Sequence, residues 1–225
     1  MTWSFSIGRL LGSELRVHVT FFLLIAYVGW SAWSAGGAVA AALNVAFVLA
    51  LFACVVAHEF GHALMARRFG IRTPDITLLP IGGVARLMRM PHKPGQEIAV
   101  ALAGPAVNVV IAGVLYLVVG RLDMISVLAP DGTLNGFLSR LAAVNVWLVL
   151  FNLIPAFPMD GGRVLRAMLA FFTDRRRATR IAAFVGQAIA VVFAAYGVYT
   201  GWFLLVLVAV FVFMAARAEK AFAAP

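Results

Sequence analysis

Charged residues are scarce in this sequence, and their scarcity limits the kind of protein that it can encode. Only 12% of the 225 residues are charged, whereas 64% are hydrophobic and the mean hydropathy is +1.00. A soluble domain carries roughly twice that charged fraction. The apolar residues also form long unbroken runs, so the composition excludes an ordinary soluble domain and predicts a polytopic membrane protein.

Cysteine and acidic residues are also few. A single cysteine, Cys54, excludes an internal disulfide, and we expect it to pack as a small hydrophobic residue. The sequence has nine acidic residues and 18 lysines and arginines, which gives a net charge of +9. No nucleic-acid partner is expected, because the basic residues flank apolar runs and no aromatic-plus-basic platform accompanies them.

The apolar runs predict six membrane-spanning helices, several of which reach the ~20 residues needed to cross ~30 Å of hydrocarbon. The predicted spans are residues 17–34, 39–66, 98–119, 137–154, 181–199 and 202–216. The last span is short, and Thr200-Gly201 before it suggests a tight helical hairpin. The expected fold is therefore an all-α polytopic membrane protein without a separate extramembrane domain.

The basic residues also predict an orientation. With six spans, every lysine and arginine except Arg121 and Arg140 falls on the side that holds the N-terminus. The positive-inside rule then places both termini in the cytoplasm. The alternative for the first span is a cleaved signal peptide with a weak cleavage site at residues 32–34, which would leave five spans.

Two histidines and a glutamate interrupt the second apolar run, in His58-Glu59-Phe60-Gly61-His62. Residues four apart project from one face of a helix, so His58 and His62 could both bind Zn²⁺ at about 2.0–2.1 Å. Glu59 would lie on the adjoining face as a proton acceptor. A carboxylate at membrane depth costs at least ~2.5–3.5 kcal/mol, which favours a functional role over polar residues near a helix end.

A catalytic zinc ion usually has three protein ligands. The other histidines are His18 and His92, but Asp160 is the stronger candidate. It follows Pro155 and Pro158 and precedes Gly161-Gly162, a combination that breaks a helix. Irregular backbone at membrane depth occurs where it is buried in protein or lines a wet cavity, so the break could direct Asp160 towards a metal. A plain helix–loop boundary is the competing explanation.

Polar amides also occur within the third and fourth spans. Gly104-Pro105 precedes Asn108 in the third, and Asn145 and Asn152 lie seven apart in the fourth. Small residues let membrane helices approach closely, and asparagine can hydrogen-bond across them. Spacing alone leaves helix packing and substrate contact equally open for these asparagines.

Three motifs together resemble those of the site-2 protease family of intramembrane zinc metalloproteases. They are His58-Glu59-Phe60-Gly61-His62, Gly104-Pro105-Ala106-Val107-Asn108, and Asn152-x-x-Pro155 followed by Asp160-Gly161. The match covers nearly the whole chain and, without a PDZ insertion, points to the branch with archaeal and sporulation-type members. The resemblance implies one Zn²⁺ per chain on His58, His62 and Asp160, with Glu59 as catalytic base.

The resemblance also implies where a substrate binds. Residues 75–87 are similar to the family's membrane-associated β-hairpin, here between spans two and three, with Gly82-Gly83 at the turn. Such a strand edge could hold an unwound substrate by backbone pairing. A simple cytoplasmic loop is the alternative. Asn108 and Asn152 match positions that the family uses around substrate.

The remaining expectations concern organisation and partners. Residues 1–225 are expected to form one intramembrane metalloprotease domain with a catalytic core at 39–163, near the cytoplasmic face of a prokaryotic cell membrane. The partners would be the lipid bilayer and a membrane-protein substrate with a transmembrane helix; a homo-oligomer is left open. Relatives in this branch often carry C-terminal cystathionine-β-synthase-type modules. The given sequence stops at Pro225, so either the protein lacks them or they lie beyond the given residues.

The expected function is cleavage of a transmembrane segment by metal-activated water, as in regulated intramembrane proteolysis. The first alternative is a metal or proton transporter, because intramembrane His, Glu and Asp can mark ion pathways. Clustering of these residues at one depth, instead of along a relay, argues against it. The second alternative, an inactive binding protein with the same fold, is not favoured because the expected ligands and base are all present.

Overall fold

The computed structural model describes residues 3–91, 93–120 and 133–222, and these ranges contain six helices and four strands. The strands are β1 Ser4–Leu10, β2 Ser13–His18, β3 Asp75–Leu79 and β4 Gly82–Arg86. The helices are α1 Val19–Arg68, α2 Pro94–Val119, α3 Leu134–Asn152, α4 Asp160–Leu169, α5 Arg175–Thr200 and α6 Phe203–Phe222. Four of them, α1, α2, α3 and α5, are long and apolar enough to cross a membrane.

The chain divides into two units. The first comprises Met1–Met90 and Ala103–Val149, and the second comprises Pro91–Leu102 and Leu150–Pro225. Helices α2 and α3 therefore contribute residues to both units. Arg121, predicted to lie on the far side of the membrane, falls outside the described residues.

The first unit contains more β-structure than the sequence predicted. All four strands form one sheet in the order β1-β2-β3-β4, with β2 and β3 parallel and the other pairs antiparallel. The expectation of a single hairpin is therefore incomplete. Polar and apolar residues alternate over residues 4–7 of β1 and 14–18 of β2, on either side of a two-residue turn at Leu11-Gly12 where both φ values are positive. That alternation is typical of a β-hairpin, but its signal is weaker than the helical signal of the neighbouring apolar run.

Helix α1 consists of two arms that meet at Gly37, whose φ of 73° and ψ of −164° are not helical. The Phe21 and Phe52 rings lie edge to face with centroids 4.7 Å apart. A straight helix would separate these residues by about 45 Å. A Cβ added at Gly29 would also lie 3.4 Å from Val45 Cγ2. The first arm (residues 19–36) and the second arm (residues 38–68) therefore pack antiparallel.

A second helical hairpin, formed by α5 and α6, dominates the second unit. Helix α5 begins at the N-cap Asp174, whose carboxylate accepts a hydrogen bond from the Arg177 amide, and this bond lowers the pKa of Asp174. It ends at Gly201, which has the left-handed φ of 72°. The tight turn expected at Thr200-Gly201 is thus confirmed. Small residues let the helices approach, since a Cβ at Gly197 would lie 2.9 Å from Val206 Cγ2.

Large apolar side chains cover much of the outer surface. Trp30 is 76% exposed, Leu117 81%, Phe172 91% and Phe203 80%. Apolar exposure on this scale is unfavourable in water and marks a surface that contacts other apolar material. Together with the four long apolar helices, it indicates an integral membrane protein.

The turn between the two arms of α1 generates a stability prediction. The backbone angles of Gly37 lie in a region that is essentially restricted to glycine, so Gly37→Ala should destabilise the protein by about 1–3 kcal/mol. Thermal unfolding of detergent-purified protein measures this effect. Gly113→Ala is the matched control, because Gly113 is helical and exposed with nothing within 4 Å of an added Cβ. Equal unfolding temperatures for the two variants would contradict the assigned turn.

Candidate metal centre

The second arm of α1 brings two imidazoles together. His58 and His62 are both buried, and their Nε2 atoms lie 3.0 Å apart. Two nitrogen ligands at 2.0–2.1 Å from a tetrahedral zinc ion would be about 3.3 Å apart. Their four-residue spacing on one helical face therefore produces a pair of nitrogen donors with nearly the separation that zinc requires.

An amide on a neighbouring helix fixes the orientation of His58. Asn108 Oδ1 on α2 lies 2.6 Å from His58 Nδ1, and both side chains are buried. An amide oxygen can only accept, so Nδ1 carries the proton and Nε2 carries the lone pair. Asn108 Nδ2 then donates to Asn145 Oδ1 on α3 at 2.9 Å, and Asn145 Nδ2 donates to Leu141 O at 2.8 Å.

The position of Asn108 gives it a structural role beside His58. The side chain is fully buried, and both ends of its amide are hydrogen-bonded within the protein. Through these bonds Asn108 orients a histidine. The substrate contact that the resemblance implied for it stays a prediction. Asn145, for which packing and substrate contact were both open, supports Asn108 in the interior.

Glycine leaves the space that a metal would need beside the imidazoles. A Cβ at Gly104 on α2 would lie 2.7 Å from His58 Nε2 and would overlap His62 Nε2 outright. On α1, a Cβ at Gly61 would lie 2.6 Å from Ala103 O, so the two helices touch backbone to backbone. The donor atoms and the space kept by Gly104 together fit a zinc ion.

The candidate base Glu59 lies against the β-sheet. A Cβ at Gly83 on β4 would lie 2.6 Å from Glu59 Cγ, so only glycine permits this approach. The sequence predicted Gly82-Gly83 as the hairpin turn, and this is wrong: Leu79 pairs with Gly82, and the turn is Pro80-Ile81. Both glycines belong to β4, and the missing side chain of Gly83 lets the strand lie close to the glutamate.

Asp160 belongs to the second unit, where it is the first residue of α4 and is buried. The sequence predicted a broken helix here but not α4 itself, because its ten residues are too few to form a membrane span. The preceding loop packs tightly on the start of α4, since a Cβ at Gly162 would lie 2.7 Å from the Ala156 carbonyl carbon. A carboxylate in the first turn is also stabilised by the helix dipole. Asn152, also in this unit, is half-buried at the end of α3.

His18 and Cys54 have other structural roles. His18 precedes α1 as its N-cap, with Nδ1 lying 2.8 Å from Thr20 Oγ1. His92 lies outside the described residues. Cys54 is buried in a cluster with Phe47 and Leu141, as expected for a packing residue. Within the first unit, the described site thus comprises His58 and His62 with Asn108 and Gly104, and Glu59 with Gly83.

Comparisons with known proteins agree with this geometry. The sequence profile of peptidase family M50 matches residues 46–130 and 120–193. A zinc metalloprotease of Methanocaldococcus jannaschii is 37% identical over 223 residues, which cover 98% of this chain and 61% of that protein. Stage IV sporulation protein FB of Bacillus subtilis is 31% identical over 119 residues, 52% of this chain and 38% of that protein.

A solved structure extends the comparison to the fold. The site-2 protease from Methanocaldococcus jannaschii matches with a TM-score of 0.67 and 34% identity, over 97% of this chain and 95% of that chain. The chain therefore belongs to peptidase family M50. It spans about three-fifths of the length of the first curated relatives that it matches.

Gly104 generates a prediction about metal binding. Gly104→Ala should abolish zinc binding, because the added methyl group occupies the space beside both Nε2 atoms. Zinc in purified protein, measured by mass spectrometry against protein concentration, tests this. Gly113→Ala on the same helix should retain zinc, since its Cβ meets nothing within 4 Å. Retention of full zinc by the Gly104 variant would show that the metal binds elsewhere.

Asn108 generates a second prediction. Groups that hydrogen-bond to a metal-binding histidine typically contribute 10- to 100-fold to metal affinity, so Asn108→Ala should weaken zinc binding by about that factor. Competition with a chelator measures the change. Asn44→Ala is the control, because Asn44 donates only to Ala40 O of its own helix. Equal zinc affinity in the two variants would rule out the orienting role.

Proposed function

We propose that this chain is a zinc endopeptidase that cleaves transmembrane segments of membrane proteins, as in regulated intramembrane proteolysis. The observation that carries the proposal is the His58–His62 pair, with Nε2 atoms 3.0 Å apart and Glu59 next in sequence to His58. Membership of peptidase family M50 supports the reaction class. No observation favours the transporter alternative.

The proposed ligands of one zinc ion per chain are His58, His62 and Asp160. Two imidazoles and one carboxylate make a common catalytic donor set, which keeps a fourth position for water. Asp160 is supported by its burial and by its defined place at the start of α4. Zinc, when bound, supplies Lewis acidity and lowers the pKa of a water molecule to near 7.

The proposed role of Glu59 is proton transfer. Its carboxylate would accept a proton from the attacking water and deliver that proton to the departing amine. The half-buried side chain lies between the imidazole-bearing arm of α1 and β4. The close approach of Gly83 to this side chain is consistent with a defined position for the proposed base.

The proposed substrate site is the open edge of β4. This strand ends the sheet, so its outer backbone groups can pair with an extended peptide. Gly82 and Gly83 would let that peptide approach Glu59, and Asn152 at the end of α3 is a further proposed substrate contact. A transmembrane helix must unwind to pair in this way, so substrates with helix-destabilising residues should be cleaved faster.

The proposed topology has six spans with both termini in the cytoplasm. The two arms of α1 supply two spans, and α2, α3, α5 and α6 supply the others. Both termini would lie on the side of the membrane that holds most of the lysines and arginines, which the positive-inside rule identifies as the cytoplasmic side. The whole chain would form one protease domain with its catalytic core at residues 39–163, in a prokaryotic cell membrane near the cytoplasmic face.

Glu59→Gln separates proteolysis from metal binding. Reconstituted protein should retain zinc but cleave a membrane-spanning peptide about 10²- to 10⁴-fold more slowly, because general acid–base catalysis contributes a factor of that size. Asp160→Ala should weaken zinc binding to what the two imidazoles alone provide, and it should abolish cleavage. Glu14→Gln, on β2 and paired with Arg16, should cleave normally.

The same proteoliposomes also test the transporter alternative. Zinc flux should be no greater than in protein-free vesicles, while peptide cleavage depends on added zinc. Cleavage at the wild-type rate by Glu59→Gln would reject the proposed base, and zinc flux without any cleavage would reject the endopeptidase.

A further inference from the structure

The second unit contains a buried group of charges that the proposed reaction does not use. Arg166 on α4 is 4% exposed and lies against two carboxylates. Its Nε donates to Glu97 Oε1 at 2.7 Å, and its Nη2 lies 2.6 Å from the same oxygen. Its Nη1 donates to Glu219 Oε1. A guanidinium that donates from two nitrogens to two carboxylates, with the third nitrogen beside one of them, is held in a fixed orientation.

These contacts connect α4 to the ends of three other helices. Glu97 lies in the first turn of α2, and Glu219 lies near the end of α6. Arg175, the first residue of α5, places Nη2 3.2 Å from Glu97 Oε2 and donates from Nη1 to Pro91 O at 2.8 Å. Two arginines and two glutamates balance in charge. We name these four residues the Arg166 network.

The face of Arg166 is packed as well. Its guanidinium carbon lies 5.1 Å from the centre of the Phe157 ring, in the loop that leads into α4. Breaking a buried ion pair by removing one partner leaves an uncompensated charge in an apolar interior, which is strongly unfavourable. The network therefore has one favourable arrangement and holds α4 in it.

The position of α4 matters because Asp160 is its first residue. Helix α4 has only ten residues, and Arg166 lies less than two turns beyond Asp160. A helix this short has little rigidity from its length, so its rotation and axial position depend on its side-chain contacts. Arg166 fixes one end of α4, and the packing of Gly162 on Ala156 fixes the other.

We propose that Arg166 is a positioning residue for the zinc site, acting through α4 on the carboxylate of Asp160. This inference rests on the proposed function, because it takes Asp160 as a metal ligand. The two carboxylates contribute unequally. Glu97 is 5% exposed, accepts a hydrogen bond from Arg166 Nε and lies 2.6 Å from its Nη2, whereas Glu219 is 32% exposed and accepts from Nη1 alone. Loss of Glu97 should therefore displace α4 more than loss of Glu219.

Zinc affinity of the purified full chain, measured by competition with a chelator, tests this inference. Arg166→Met and Glu97→Gln should weaken zinc binding about 10-fold or more, as loss of an outer supporting contact does. Glu219→Gln should have a smaller effect, and Arg166→Lys should recover part of the loss. Arg177→Met is the control, since Arg177 forms an exposed pair with Asp174 and should bind zinc as the wild type does.

A double-mutant cycle separates positioning from general loss of structure. In an Asp160→Ala background, Arg166→Met should not weaken zinc binding further, because the group on which it acts has been removed. Additive losses would overturn the inference. Circular dichroism and gel filtration establish which variants are folded. If Arg166→Met does not fold, unchanged zinc affinity in both Glu97→Gln and Glu219→Gln overturns it instead.

Zinc binding by the wild-type protein separates failure of the proposed function from failure of the positioning role. Wild-type protein that binds no zinc would reject the proposed function. Wild-type protein that binds one zinc ion while the folded Arg166 network variants match its affinity would reject only the positioning role.

Discussion

The hydrogen bond between His58 Nδ1 and Asn108 Oδ1 is the interaction on which the metal centre depends. An imidazole within an apolar helix cannot rely on water to select its tautomer or its ring orientation. A buried amide oxygen does both, because it accepts only from the protonated nitrogen and so assigns the lone pair to Nε2. The chain of amides continues through Asn145 to a backbone carbonyl, which connects α1 to α2 and α3 by polar contacts.

Small residues make that connection sterically feasible. Gly61 and Gly104 let α1 and α2 meet at backbone distance, and Gly83 lets β4 reach Glu59. Each glycine lies where a methyl group would collide with a backbone atom, an imidazole or the candidate base. In the second unit, buried charges and tight loop packing give a short helix a defined position. Close approach and fixed polar contacts thus determine where the reactive groups lie.

Much of this arrangement could be predicted from the sequence, since it follows from short-range periodicity. Apolar runs located the long helices, and the four-residue spacing of His58 and His62 placed both rings on one face. The reversal at Gly37 was expected from the gap between two predicted spans. The hairpin of α5 and α6 was expected from Thr200-Gly201.

The features that were missed depend on contacts distant in sequence. Pairing of β2 with β3 joins segments separated by all of α1, so the four-stranded sheet left only a weak local signal. No spacing rule shows that Asn108 faces His58, because the two residues are 50 positions apart. The ion pair of Arg166 with Glu97 likewise links residues 69 positions apart. Tertiary packing, which no local pattern encodes, decides each of these cases.

X-ray absorption at the zinc edge of the purified, zinc-loaded chain tests the central claim most directly. We expect one zinc ion per chain with a first shell of nitrogen and oxygen donors, two of them imidazoles at about 2.0–2.1 Å. In His62→Ala, the contribution of imidazole scattering to the zinc-edge spectrum should fall by half, because one of the two imidazole ligands has been removed. A protein without stoichiometric zinc, or a zinc spectrum without imidazole scattering, would contradict the account.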